Sequence, residues 1–236
     1  MAYKQELTLW QLCFTGKVDD ARAAVARGED VNSSGGWGIS ALMWAVRNKL
    51  NSIVSLLLEQ PGLEVNMRDG LGLTALHWAA VEDNPDAVPL LLADPRVDVN
   101  CRNNIGRTAL FCAVLYGNVE AVRFLLADNR SEVNLMDKDG MSLLHAASGE
   151  DSAEIARLLL DEGRIDNVNH LDKRGDSPLM IDVHEKRMKT VRELAAHPGV
   201  DLDTRDRWDR SVEEVARCKY TNIPIQRHKE NTHRKR

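Results

Sequence analysis

No stretch of the sequence approaches the ~18 consecutive apolar residues that a membrane-spanning helix needs. The first seven residues, Met1 to Leu7, lack the apolar core of a signal peptide. Cysteine is sparse, and Cys13, Cys101, Cys112 and Cys218 have no C-x-x-C spacing, which argues against a zinc ribbon or a redox pair. All four read as reduced thiols of an intracellular protein, with Cys101 and Cys112 expected as small fillers. His170, His184, His197, His228 and His233 show no metal-binding spacing such as H-E-x-x-H. The glycines at 35–36 and at 70 and 72 are not followed by the Lys-Ser/Thr that a phosphate-binding loop requires. No arrangement of nucleophile, acid and base stands out. The expectation is therefore no catalytic residue, no metal, no cofactor and no small-molecule substrate.

The charge is also uneven. Of a net −5, the last ten residues carry five Lys/Arg against one Glu. The remainder holds 26 basic and 35 acidic residues, a net −9. An acidic body is poorly suited to phosphate backbones, whose affinity comes from Lys and Arg, so nucleic acid is not the expected partner.

What is present is a period. A Ser or Thr recurs at Ser40, Thr74, Thr108, Ser142, Ser177 and Ser211, at intervals of 34, 34, 34, 35 and 34. A second marker keeps step: Asn32, Asn66, Asn100, Asn134, Asn169 and Asp203. Two markers sharing one period identify a repeat protein. The Trp-x2-Leu-Gly-x2-Tyr signature of tetratricopeptide arrays, which also fit this period, is absent. Thr74-Ala-Leu-His-Trp-Ala-Ala and Ser142-Leu-Leu-His-Ala-Ala instead resemble the ankyrin signature T-P-L-H-x-A. A turn glycine precedes each first helix (Gly38, Gly72, Gly106, Gly140, Gly175), and a Leu-rich second helix follows. The resemblance covers about residues 5–217. It implies an all-α ankyrin solenoid of stacked helix-turn-helix units with β-hairpin fingers. Six units and a half-repeat cap are expected: 1–32, 33–66, 67–100, 101–134, 135–169, 170–203 and 204–217, with a disordered basic tail at 218–236.

Several residues disturb this pattern. Only unit four keeps a glycine, Gly117, between its helices; Lys49, Asp83, Asp151 and Lys186 replace it, with strain expected if the site is left-handed. Pro89 falls within the second helix of unit three, where it is expected to remove a backbone bond and kink the helix. Ala45, Ala79, Ala113 and Ala147 recur five places after the Ser/Thr, implying close helix approach, but unit six has Asp182 there. Asp182 either loosens the end of the stack or serves as a binding carboxylate. Leu91, Leu125 and Leu159 are expected at the centre of the core.

The resemblance places function on the finger tips and on exposed positions of the first helices. It implies a non-enzymatic adaptor, scaffold or inhibitor, acting as a monomer in the cytoplasm and/or nucleus. The residue before the finger glycine varies (Trp37, Leu71, Ile105, Asp139, Arg174), as does the one after it (Ile39, Leu73, Arg107, Met141, Asp176). These ten and the first-helix residues Trp44 and Trp78 are the candidate partner-binding residues. Exposed apolar tips of this kind mark interaction surfaces. Trp44 and Trp78, with Trp37 nearby, are also similar to the aromatic cage of certain ankyrin-containing histone-lysine methyltransferases, which implies a reader of methyl-lysine. Arg47 stands where that family has an acidic residue; Glu82 could compensate. His77 and His145 occupy the signature His, whose implied role is a backbone hydrogen bond between units. Asn66, Asn100, Asn134 and Asn169 look like the asparagines that a cytosolic hydroxylase modifies in ankyrin proteins. The basic tail reads as an import signal or a solvated end. The chain ends soon after the array, leaving little room for an appended enzymatic or ubiquitin-ligase-recruiting domain.

Overall fold

The computed structural model describes residues 7–147, 152–206 and 208–219. Among these, thirteen α-helices follow one another and no extended sheet forms. They run as antiparallel pairs: α1 (Leu9–Phe14) with α2 (Val18–Ala26), α3 (Ala41–Arg47) with α4 (Asn51–Leu58), and α5 (Ala75–Val81) with α6 (Ala87–Leu92). Then come α7 (Ala109–Leu115) with α8 (Val119–Ala127), α9 (Leu143–Ala146) with α10 (Ser152–Asp161), and α11 (Pro178–His184) with α12 (Met188–Ala196). The lone α13 (Val212–Lys219) closes the stack, two residues longer than the sequence suggested. Residues 218 and 219, expected in the tail, belong to this helix; the rest of the basic tail, 220–236, lies outside the described residues, as does Asp151.

From α3 onward each first helix starts at the periodic Ser/Thr for a local reason. The hydroxyls of Ser40, Thr108 and Ser177 accept from the backbone N–H groups of Met43, Phe111 and Met180 at 3.2–3.3 Å, satisfying a donor that the first turn leaves open. Helices of four to ten residues are too short to hold alone, so stability comes from the apolar face each lends its neighbours. One continuous core results, with Leu57, Leu91, Leu125 and Leu159 fully buried at the same place in consecutive units. The recurrent Ala45, Ala79, Ala113 and Ala147 are fully buried where first helices meet.

Polar side chains tie unit to unit in register. Asn32, Asn66, Asn100, Asn134 and Asn169 each donate from Nδ2 to a carbonyl thirty residues on, at 2.7–2.9 Å. Each also accepts through Oδ1 from an N–H thirty-two residues on. Arg96, Arg130 and Arg164 reach back 2.7 Å to the carbonyls of Leu58, Leu92 and Leu126, groups that the C-terminus of a helix leaves open. This arginine clasp shares the 34-residue period and lies in the loop where the repeat exceeds the ordinary ankyrin length.

Pro89 does not kink its helix. Helix α6 begins at Ala87, two residues later than α4 and α8 at the equivalent place, so Pro89 is its third residue. An N–H there has no partner within the helix, and the proline sacrifices none. The cost is a shorter helix. The strain expected between the helices is present: Lys49, Asp83 and Lys186 have φ of 56°, 49° and 63° where Gly117 has 75°.

Candidate partner-binding surface

The fingers are tight turns rather than long hairpins, with two isolated bridges, Ser34–Ser40 and Arg205–Ser211, as the extent of β pairing among the described residues. Each of five fingers is built around a buried Asp or Asn five places before the Ser/Thr: Asp69, Asn103, Asp137, Asp172 and Asp206. One oxygen accepts from two N–H groups of its own turn, as Asp69 does from Leu71 (2.9 Å) and Leu73 (2.8 Å). Adjacent fingers are then joined by backbone: Gly70 donates to the carbonyl of Trp37, Asn104 to Leu71, Lys138 to Ile105 and Lys173 to Asp139, at 2.7–3.0 Å. The tips form one connected row.

The sequence-predicted residues divide in two on this row. Those before the glycine face solvent: Trp37 (79% exposed), Leu71 (61%) and Ile105 (50%) make an apolar run, followed by exposed Asp139 and Arg174. Those after it turn inward. Ile39, Leu73 and Met141 are half-buried, and Asp176 is buried, its carbonyl accepting from His145. Arg107 is spent on an internal ion pair with Asp137 (3.0 Å) and lies over the ring of Phe111. Asp176 and Arg107 are thus parts of the scaffold. Trp37 is held at φ 66° inside a short 3₁₀ turn, Gly36–Gly38. A bulky side chain in that conformation is a genuine outlier, and here it presents an almost wholly exposed indole.

Below the tips, the first helices of units one to three carry an aromatic strip. Trp44 and Trp78 are half-buried one unit apart. The Arg47 guanidinium lies over both, 5.2 Å from the ring centre of Trp44 and 5.0 Å from that of Trp78. Glu82 pairs with Arg47 at 3.2 Å. Phe14, which the sequence assigned only to a capping helix, stacks edge-on to Trp44 at 4.6 Å and remains 51% exposed. The Trp78 indole N–H donates to Asp69 Oδ2 at 3.0 Å, fastening the strip to the base of the second finger. Trp44 has no such acceptor, because the equivalent position is Gly35, where a Cβ would lie 2.8 Å from the Trp10 ring; its Nε1 is buried without a hydrogen bond among the described residues.

The remaining polar residues serve the scaffold. His77 Nδ1 accepts from the N–H and hydroxyl of Thr74, and its Nε2–H donates 3.0 Å across to the carbonyl of Arg107. His145 repeats this between Ser142 and Asp176. Burial holds both imidazoles below their ordinary pKa, as expected of neutral rings. Asp182 is buried, so it offers no carboxylate to a partner, and it pairs with Arg187 at 3.2 Å. Burial pushes the Cys13 thiol up to about 12 and the Cys112 thiol to about 11, the reverse of what a reactive cysteine needs. Among the described residues no cluster of three or more His, Cys, Asp or Glu could hold a metal, and no helix is long and apolar enough to cross a membrane.

A family model for ankyrin repeats matches residues 9–103, 42–137 and 126–206. Curated proteins give no match to the sequence. Among solved structures, the ankyrin repeat domain of Bcl-3, a member of the IkappaB protein family, superposes with a TM-score of 0.76 at 26% identity, over 90% of this chain and 94% of that one. The human ASB11 ankyrin domain gives 0.76 at 22% identity, over 89% and 92%. The ankyrin repeat protein EF0377 gives 0.73 at 19%, over 80% and 97%. Ankyrin repeats are in general protein–protein interaction modules, and with the repeats matched from residue 9 to residue 206 the chain belongs to the ankyrin repeat family.

Proposed function

We infer that the protein is a non-enzymatic adaptor, scaffold or inhibitor that grips a partner protein with its finger tips and the first-helix face beneath them. The observation that carries this reading is the apolar run Trp37, Leu71 and Ile105, three large side chains exposed at one position of consecutive units. Nothing in their own units requires them to be apolar, and patches of this kind on a rigid frame are where partners bind. The protein acts as a monomer, in the cytoplasm and/or nucleus. The test is affinity capture from the source cell with wild type against a Trp37→Ala/Leu71→Ala/Ile105→Ala variant. Partners retained equally by a variant of unchanged helicity refute the reading. Loss of nuclear signal on deleting residues 227–236 would support the tail as an import signal; unchanged localisation removes that idea.

A methyl-lysine reader is the less supported alternative. The space between Trp44 and Trp78 already holds the Arg47 cation, and a second cation there meets like charge. Fluorescence titration with methylated and unmethylated lysine peptides tests it. Asparagine hydroxylation at Asn66, Asn100, Asn134 and Asn169 is a further proposal. Each amide donates and accepts in the inter-unit ladder, which accounts for asparagine without any modification. A +16 Da shift in the native protein supports it, and its absence at all four sites rules it out.

A further inference from the structure

We propose that the strip on α1, α3 and α5 receives an acidic side chain of a partner peptide, flanked by apolar residues, with Arg47 as the anion-binding group. The proposal rests on the reading above and specifies the chemistry of the segment received. The arrangement around Arg47 inverts an aromatic cage. Two indoles from successive units lie within 5.2 Å of a guanidinium that belongs to the protein itself. Guanidinium is weakly hydrated and planar, so it stacks on rings while keeping its N–H donors in the plane. Glu82 approaches through Nε at 3.2 Å, and one carboxylate cannot occupy five N–H groups. Arg47 keeps 40% of its side chain exposed, and Glu82 32%.

An incoming carboxylate therefore finds a planar fork with low-dielectric walls, where charge-assisted hydrogen bonds are strongest. The flanks are apolar in both directions along the strip. Phe14, half exposed, lies against Trp44. On the other side Trp78 is tied through Asp69 to the turn that presents Leu71. A lone acidic group would meet little beyond Arg47; an acidic residue between apolar ones matches the whole strip. Glu82 has a second consequence. It competes with the ligand carboxylate for Arg47, so removing its charge strengthens binding.

The test uses the full chain and a phage-displayed library of random 12-residue peptides, selected on wild type and on Arg47→Glu. Wild type is expected to enrich Asp or Glu between apolar residues, and Arg47→Glu to lose that enrichment. The selected peptide, made synthetically with its Asn/Gln and Lys counterparts, is then titrated by fluorescence polarisation. The acid-to-amide change weakens binding about tenfold or more on wild type and has no effect on Arg47→Glu. Arg47→Lys, which keeps the charge and loses the fork, gives an intermediate loss, and Glu82→Gln tightens binding several-fold. Circular dichroism controls the fold of each variant. Binders without acidic residues, an acid preference that survives in Arg47→Glu, tighter binding of a methyl-lysine peptide, or no binder at all each overturn the proposal. None of these touches the broader reading, which fails separately if the finger variant keeps its partners.

Discussion

Asp182 stands where four other units have a fully buried alanine, and it is itself only 1% exposed. Its Oδ1 takes a hydrogen bond from Arg187 Nη1 at 3.2 Å, while Oδ2 has none among the described residues. Loss of water pushes its pKa up to about 7, and the pull of Arg187 only partly opposes this. In the unfolded chain the value is about 3.9. The folded protein therefore holds a proton between about pH 4 and pH 7 that the unfolded chain gives up. Stability from this group is complete below pH 4, falls as pH rises through the window, and reaches its lowest level above pH 7. A rise of about three pH units at ~1.4 kcal/mol each amounts to roughly 4 kcal/mol at pH 8. Asp182→Ala removes that penalty at the expense of a small void and an Arg187 that turns to water. The expected net gain is about 2–4 kcal/mol at pH 8, vanishing or reversing at pH 4. Guanidinium melts and hydrogen exchange of the α11–α13 amides, wild type against variant at matched pH, cancel the contribution of every other carboxylate. An equal gain at both pH values, or a loss at pH 8, would refute the argument.

Other perturbations test the scaffold. Leu91→Ala, Leu125→Ala and Leu159→Ala each empty a fully buried site and should cost about 2–5 kcal/mol in denaturant melts. Gly117→Ala meets open space but keeps φ at 75°, so a loss of about 1–2 kcal/mol measures backbone strain alone. His77 and His145 have lowered pKa values, so their contribution is present above about pH 6.5 and is lost as pH falls below it, where the unfolded chain takes up protons first. A His77→Gln/His145→Gln variant should show a shallower loss of melting temperature between pH 7 and pH 5 than wild type.

The fold could be read because its determinants are local and repeated. A hydroxyl that caps a helix and a glycine that turns a finger act within one unit, an asparagine makes the same link to the next unit each time, and periodicity exposes all three. The arginine clasp and the buried finger Asx share that period and were equally available: Arg96, Arg130 and Arg164 lie 34 residues apart, and an Asp or Asn stands five before five of the Ser/Thr. They pass unnoticed because charged and amide residues in loops look like solvated surface until their partners are seen. Pro89 misled for another reason. Its effect depends on where the helix begins, and helix starts shift by a residue or two without changing the sequence pattern.

The site was legible only where one residue acts alone. Trp37, Leu71 and Ile105 could be placed at tips because their neighbours in sequence are turn residues. Their counterparts after the glycine could not be told apart from them: Asp176 and Arg107 have surface-like identities, and only contacts with a neighbouring unit, the preceding one for Asp176 and the following one for Arg107, show that both are committed to the frame. The aromatic strip depends on pairs formed across units. Arg47 acquires its role from two rings 34 residues apart, and Trp44 lacks the acceptor that Trp78 has because Gly35 makes room for Trp10 in the unit before. A stacked array hides its function in the joints between units, where the sequence of one unit says least.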